Sequence, residues 1–214
     1  GASVGSNSAL EAGTGLAVLA LNEIVKHSPQ RPANLTSGAG GIFGGAAGQS
    51  STSLSTFTTA TLAGNAVSGS DRTISAGGDL TVAAENAVLA TDMAQLSAGG
   101  LIAVADVRSA ITSDNTATAT IGADANVHAG NDLNVLAKTN ANVQTATNTS
   151  TWGFAAGGDG TALNTVVADN DVGVGTNAAL SADNDIDLVA GQGLANVAAA
   201  GRVEPGGGGV VGGD

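Results

Sequence analysis

The side chains that could do chemistry in this sequence are few and far apart. His27 and His128 are its two histidines, and neither has carboxylates at the spacing of metal ligands. No Ser-His-Asp order and no HExxH spacing can be assembled around them, so the sequence predicts no catalytic residues. His128 occupies a position that is serine in two related segments, at Ser75 and Ser181, which predicts a solvent-facing strand residue.

Carboxylates are the other candidates. Two pairs stand at alternate positions: Asp169 with Asp171, and Asp183 with Asp185. Calcium-binding repeats need GGxGxD at a period of nine residues. GGD occurs at 77–79 and at 157–159, but neither the full motif nor the short period is present. The sequence therefore predicts no cofactor and no metal-binding residues, with calcium left open as an alternative.

Threonine runs raise the question of ice binding, which needs a flat array of threonines on successive repeats. The runs are TATAT at 116–120 and TATNTST at 145–151. Thr116, Thr118 and Thr120 correspond, 53 residues later, to Asp169, Asp171 and Gly173. The first run is not repeated, so the sequence predicts no such array.

The rare aromatic residues precede Gly-rich segments. Phe43 stands in GGIFGGAAG, and Trp152 and Phe154 stand in TWGFAAGG. Buried aromatics fill a core, whereas exposed ones line a ligand groove. We predict that these three pack in the core or at the edge of a coil.

The strongest pattern in the chain is a repeated phrase that carries no reactive group. SAGGDLTVAA at 75–84 returns as HAGNDLNVLA at 128–137 and as SADNDIDLVA at 181–190. The interval is constant, since 132 − 79 = 53 and 185 − 132 = 53 for the aspartates. A constant interval predicts that equivalent residues stack on one another. The predicted structural ladder consists of Asp79, Asp132, Asp185, Leu80, Leu133 and Ile186.

A fourth, earlier copy at 9–20 stands further away. The interval from Leu10 to Ile74 is 74 − 10 = 64, which predicts one insertion of about a dozen residues around 26–38. We predict one repeat segment over 1–200 and a Gly-rich linker or irregular end over 201–214. The predicted repeat units lie near 9–72, 73–125, 126–178 and 179–200.

Apolar residues alternate with polar ones around each repeated turn, which is typical of short strands. The Ala-rich stretches 85–96 and 138–151 are also predicted to be extended, because Thr and Asn replace many alanines in the second. Stacked strands of this kind predict an all-β, parallel solenoid. We expect two coils in each 53-residue period, which gives about eight coils and a rod on the order of 40 Å long.

Composition supports strands and turns. Hydrophobic residues make up 43% of the 214 residues but aromatic ones only 2%, so the core must be built from Ala, Val and Leu. The net charge is −12, and the six basic residues form no cluster, which argues against nucleic-acid binding. There is no cysteine and no apolar run long enough to span a membrane. The chain lacks an initiator Met and opens inside a repeat, so we expect an excised segment of a longer protein.

Three motifs resemble the repeats of large bacterial filamentous adhesins, namely the filamentous haemagglutinin-like exoproteins and the leukotoxin-like filamentous adhesins. They are AGGDLTVAA at 76–84, AGGLIAVADV at 98–107 and NTATATIGADANVHAG at 115–130. The resemblance implies a right-handed parallel β-helix at the surface of a Gram-negative bacterium, exported by an outer-membrane secretion partner. Two departures are GDGTALNTVV in place of an apolar run within 156–180 and the lack of a recognisable secretion domain.

These observations predict a non-catalytic shaft segment of a secreted, extracellular adhesin. Its expected partners are host-cell or bacterial surfaces, extracellular matrix and other copies of itself, and it serves adhesion or biofilm contact. Two alternatives remain open at this stage. One is a β-helix enzyme of the polysaccharide lyase type, and the other is the shaft of a contact-dependent toxin.

Overall fold

The computed structural model describes residues 1–26, 33–65, 72–206 and 211–213, with side chains described up to 191 and at 198–200. All regular structure in these ranges is β-strand, which confirms the predicted all-β class. The strands are β1 Ala2–Val4, β2 Leu10–Ala12, β3 Leu16–Lys26, β4 Leu35–Leu62, β5 Thr73–Ala76, β6 Leu80–Ile121, β7 Asn126–Ala129, β8 Leu133–Val174, β9 Ala179–Ala182, β10 Ile186–Gly206 and β11 Val211–Gly213.

All strand pairs are parallel and form two sheets. A seven-stranded sheet runs β1-β4-β6-β8-β10, with β3 also on β6 and β11 also on β8. A four-stranded sheet of short strands runs β2-β5-β7-β9. Each paired residue of β6 lies opposite the residue of β8 that follows 53 positions later, from Leu80 opposite Leu133 to Ile121 opposite Val174. The sequence period is therefore the distance between hydrogen-bonded neighbours.

The extra residues of the first unit lie in two places, so the predicted single insertion is wrong. The offset between paired residues is 90 − 26 = 64 at Lys26 and 94 − 35 = 59 at Leu35, a difference of five. It falls again from 121 − 62 = 59 at Leu62 to 126 − 73 = 53 at Thr73, a difference of six. Both insertions are at strand ends, where extra residues leave the pairing on either side intact.

Each long strand doubles back on itself. A straight strand of 42 residues would be roughly 140 Å long. Leu80 nevertheless shares a buried cluster with Ile121, and Leu96 shares another with Ala105. Across the same interior, the Asn86 side chain donates a hydrogen bond to the carbonyl of Thr116 at 2.8 Å. The outgoing half of β6, before residue 99, therefore faces the returning half, after residue 102.

This geometry contradicts the expectation of two coils per period. Two coils would pair residues about half a period apart, whereas the halves of β6 meet through side chains and pair with residues 53 away. The expected number of about eight coils and the rod length derived from it are therefore wrong as well. The physical reason is the small interior side chains, mostly Ala, Val, Ser and Thr, which let two long halves pack face to face.

Glycines stack where the chain reverses. Gly41, Gly100 and Gly153 are paired in register. A Cβ on Gly100 would lie 2.1 Å from the carbonyl oxygen of Gly41, and one on Gly153 would lie 2.1 Å from that of Gly100. The backbones approach too closely there for any side chain, so glycine is required.

Strand pairing continues beyond the predicted end of the repeats. β10 pairs with β8 as far as Gly206 opposite Trp152, and Val211–Gly213 pairs with β8 at 155–157. The residue pattern stops near 200, but parallel pairing uses backbone groups that glycine also has. The Ala-rich stretches 85–96 and 138–151 lie within β6 and β8, which confirms that they are extended.

Candidate functional site

The predicted ladder of aspartates forms hydrogen bonds between successive units. Asp79 Oδ1 accepts from Asn131 Nδ2 at 2.6 Å and from the backbone N–H of Asp132 at 3.4 Å. Asp132 Oδ1 accepts in the same way from Asn184 Nδ2 at 2.8 Å and from the N–H of Asp185 at 3.3 Å. Each of these two carboxylates thus accepts hydrogen bonds from the next unit, and Asp132 Oδ2 also accepts one from Asn131 Nδ2 of its own turn at 3.3 Å. These carboxylate oxygens therefore hold successive units together.

The apolar members of the ladder lie one residue further on. Leu80 is paired with Leu133, and Leu133 with Ile186. Leu80 and Leu133 are fully buried, whereas Ile186 is 44% exposed. Ile186 lies on β10, which pairs with β8 over this stretch, and the described residues place no strand on its other side.

A second polar ladder, which the sequence reasoning missed, lies at the other corner. Asn7, Asp124 and Asn177 adopt the left-handed conformation, with φ of 58°, 55° and 57°. Asn177 Nδ2 donates to Asp124 Oδ1 at 3.3 Å, and Asn65 Nδ2 donates to the carbonyl of Asp124 at 2.8 Å. Asn and Asp tolerate this conformation better than other residues with side chains. The sequence signal that could have predicted this ladder is Gly-x-Asp at 122–124, which returns 53 residues later as Gly-x-Asn at 175–177.

A partly buried ion pair joins two units, with its carboxylate in the interior. The side chain of Asp92 is fully buried, and its Oδ1 lies 3.3 Å from Lys26 Nζ. Ser50 Oγ donates to Oδ1 at 2.9 Å, and Ser109 Oγ donates to Oδ2 at 2.9 Å. Lys26 Nζ also donates to Thr52 Oγ1. The carboxylate therefore has a counter-ion and two hydroxyl donors, which is what a buried charge requires.

His128, the histidine that the structure describes, is not in a catalytic arrangement with the described residues around it. His128 pairs with Ser75 on one side and Ser181 on the other, as the spacing predicted. Its ring is half-buried, and Nδ1 lies 3.0 Å from Ser181 Oγ. His27 lies outside the described residues.

The described residues also lack any group of three or more His, Cys, Asp and Glu side chains that could hold a metal. Asp169 and Asp171 lie opposite Thr116 and Thr118 in the register, as the spacing predicted. The second threonine run faces inward, because Thr145, Thr147, Thr149 and Thr151 are buried. An inward-facing run cannot present an array to ice.

The aromatic residues lie at the chain reversal, on the outside. Trp152 is 58% exposed, Phe154 is 55% exposed and Phe43 is 76% exposed, so they do not pack in the core, and of the two predicted locations only the edge is left. A Cβ on Gly99 would lie 2.9 Å from Cε2 of the Trp152 ring, which places the indole against that glycine. At this edge the two sheet halves meet over glycine and alanine, which leaves no room for an indole inside.

One polar depression lies on the outer face of the returning halves. Its lining includes Gln49, Asp106, Arg108, Asp159 and Thr161. Asp106 pairs with Asp159, and Arg108 with Thr161, so this depression spans three units. Two carboxylates and one guanidinium in one depression are groups that could bind a charged sugar or act on one.

Comparison with protein-family models, curated proteins and solved structures finds no match for this chain. Among the described residues there is no helix long and apolar enough to cross a membrane.

Proposed function

We propose that this chain is a non-catalytic shaft segment of a large secreted adhesin, wound as a right-handed parallel β-helix with one coil per 53 residues. The observation that carries the proposal is the constant register of β6 on β8, in which both halves of a doubled-back strand keep the same offset of 53 residues. Such pairing adds one unit per strand spacing of about 4.8 Å and can continue without limit.

Three further features support a structural role. The ladder carboxylates Asp79 and Asp132 are engaged in hydrogen bonds to the next unit. The interior is filled by side chains and holds an ion pair between units. Connections from one parallel strand to the next are right-handed in almost all proteins, which supports the proposed hand.

The biological setting follows from the resemblance to filamentous adhesins. The segment would lie outside a Gram-negative cell, delivered by an outer-membrane partner, and would hold a binding region away from the surface for adhesion or biofilm contact. The shaft of a contact-dependent toxin would have the same structure over these residues.

Deletion of one whole unit tests the shaft. Removal of residues 126–178 places Ala179 directly after Ala125, where its register partner Asn126 stood. The shortened chain should keep a β-sheet circular dichroism spectrum and a cooperative thermal transition. The matched control removes residues 126–151, about half a unit, and should not fold. Equal loss of structure in both deletions would contradict the proposal.

The same deletions in the whole surface protein test its role in cells. Loss of residues 126–178 should leave surface display and attachment to host cells or other bacteria unchanged, because a shaft tolerates one coil fewer. Loss of 126–151 should abolish both. If the whole-unit deletion is displayed but no longer supports attachment, this segment itself binds the partner and is not a shaft.

The polar depression favours a polysaccharide lyase as the second candidate. Lyases need carboxylates and basic groups converging on one face, and Asp106, Asp159 and Arg108 line one depression. Incubation with polygalacturonate or alginate, followed by ultraviolet absorbance of unsaturated products, distinguishes the two. The shaft proposal expects no product. Turnover that is lost in Arg108→Ala would establish the enzyme and overturn it.

A further inference from the structure

The edge where the long strands reverse carries an exposed apolar strip. It consists of six side chains: Ile42, Phe43, Leu101, Ile102, Trp152 and Phe154. They are between 43% and 76% exposed, although side chains of these types are normally among the most buried in a protein. Large apolar patches on a protein surface mark interaction sites.

The register brings the strip together from three successive units. Gly41, Gly100 and Gly153 are stacked, and Phe43 is paired with Ile102. The pairing skips the residue between these positions in each unit. The skipped residues are Ile42, Leu101 and Phe154. They follow the stacked glycines directly, so they lie side by side at the outer end of the reversal.

The strip lies in a part of the protein that has no charge. The sequence contains no Asp, Glu, Lys or Arg at 32–70, 93–105 or 139–158, the segments that contain the strip. This is notable in a chain with a net charge of −12. The first charged residues after the reversal are Asp106 and Asp159, on the outer face of the returning halves.

We infer that this strip is a contact site for the interfacial region of an electrically neutral lipid bilayer. Aliphatic side chains with Trp and Phe are the composition that partitions into the membrane interface. The absence of charge removes both the attraction to anionic lipids and the cost of burying ions. A protein partner would need a polar rim around the apolar centre, whereas Gly and Ala flank this strip. Sugar sites are concave clefts that bury their ligand, whereas the six side chains of the strip are 43% to 76% exposed.

The inference rests on the proposed function in one respect, since a shaft outside the cell is what would bring this edge to a membrane. The strip itself is tested separately. Failure to bind vesicles would leave the unit-deletion test of the shaft unaffected.

The chain supplies its own probe, because Trp152 is its single tryptophan and belongs to the strip. Phosphatidylcholine vesicles should shift its fluorescence to the blue, and brominated phosphatidylcholine should quench it. Ile42→Ser combined with Leu101→Ser keeps the probe and should weaken vesicle binding by at least about tenfold, because two apolar side chains no longer leave water. Phe57→Ser is the matched control, since Phe57 is 70% exposed but lies on the returning half of β4, opposite Thr116.

Circular dichroism establishes that each variant folds. Phe43→Ser, at a 76% exposed position, replaces the double variant if the latter does not fold. The inference is overturned if vesicles neither shift nor quench Trp152, or if Phe57→Ser weakens binding as much as the strip variant does. It is also overturned if the blue shift grows with protein concentration without vesicles, which would identify a second copy of the chain as the occupant.

Discussion

Substitution of Lys26 by methionine should destabilise the protein far more than an ordinary surface change. Methionine preserves most of the side-chain length but removes the counter-ion 3.3 Å from the buried Asp92 carboxylate. Breaking a buried ion pair by removing one partner costs about 3–5 kcal/mol. Two serine hydroxyls at 2.9 Å still hold the carboxylate, so we expect a loss of about 3 kcal/mol in the free energy of unfolding.

Substitution of the other partner, Asp92, should lower the free energy of unfolding by less. Asp92→Thr introduces the residue that the next unit has at this position, Thr145. Lys26 keeps access to water, since its side chain is 29% exposed, and a threonine hydroxyl can accept from one of the serines. We expect a loss of about 1–2 kcal/mol for Asp92→Thr. The double variant should be more stable than the sum of the single losses implies, by about 1–3 kcal/mol.

Urea unfolding followed by circular dichroism measures these differences. The matched control is Lys138→Met, at an exposed lysine on the outer face opposite Glu85, which should change stability by no more than about 0.5 kcal/mol. If Lys26→Met and Lys138→Met are equally mild, or the double variant shows no coupling, then the two units do not bring Lys26 and Asp92 together as described.

Three further substitutions probe the stacking of the units by the same urea assay. Gly175→Val should prevent folding or lower the free energy of unfolding by more than about 3 kcal/mol, because a Cβ there would lie 2.3 Å from the backbone nitrogen of Ala123. A variant as stable as the parent would refute this contact. Asp132→Ala should cost about 1–2 kcal/mol through loss of its two hydrogen bonds to the next unit, and no loss would mean that the ladder does not stabilise the stack. Leu133→Ala should cost about 2–5 kcal/mol because Leu133 is fully buried, whereas Leu163→Ala, at a 56% exposed position, should be nearly neutral. Equal costs for these two leucines would contradict the assigned faces.

The sequence predicted the strands and their partners because both depend on local patterns. Alternation of apolar and polar residues gave extended structure, and the spacing of 53 residues between Asp79, Asp132 and Asp185 gave the neighbours in the register. The same spacing also predicted that Thr116 and Asp169 are neighbours in the register.

The number of coils in a period was not predictable, because alternation looks the same in both halves of β6. Only contacts across the interior, such as Ser109 with Asp92, show which halves face each other. The two insertions were not separable for a similar reason. Residues 33–65 contain no copy of the repeated phrase to which an offset could be anchored.

The interior ion pair and the apolar strip were missed for different reasons. Lys26 and Asp92 are 66 residues apart in different units, and their proximity depends on where the first insertion lies. Trp152 and Phe154 follow four buried threonines in a strand that reads as interior. Their exposure comes from the reversal, which a pattern of residue types does not reveal.

The central claim, that one period is one coil, can be tested by disulfide formation. The chain has no cysteine, so any introduced pair is unique. Glu85 is paired with Lys138 across the register. Adjacent parallel strands lie about 4.8 Å apart, within the range that a disulfide bridges.

Three double variants are oxidised and compared by mass spectrometry. Glu85→Cys with Lys138→Cys should cross-link rapidly and completely. Glu85→Cys with Asn140→Cys is two residues out of register and should cross-link poorly. Glu85→Cys with Thr112→Cys joins residues about half a period apart and should not cross-link at all. Efficient cross-linking of the third pair in place of the first would contradict the 53-residue coil.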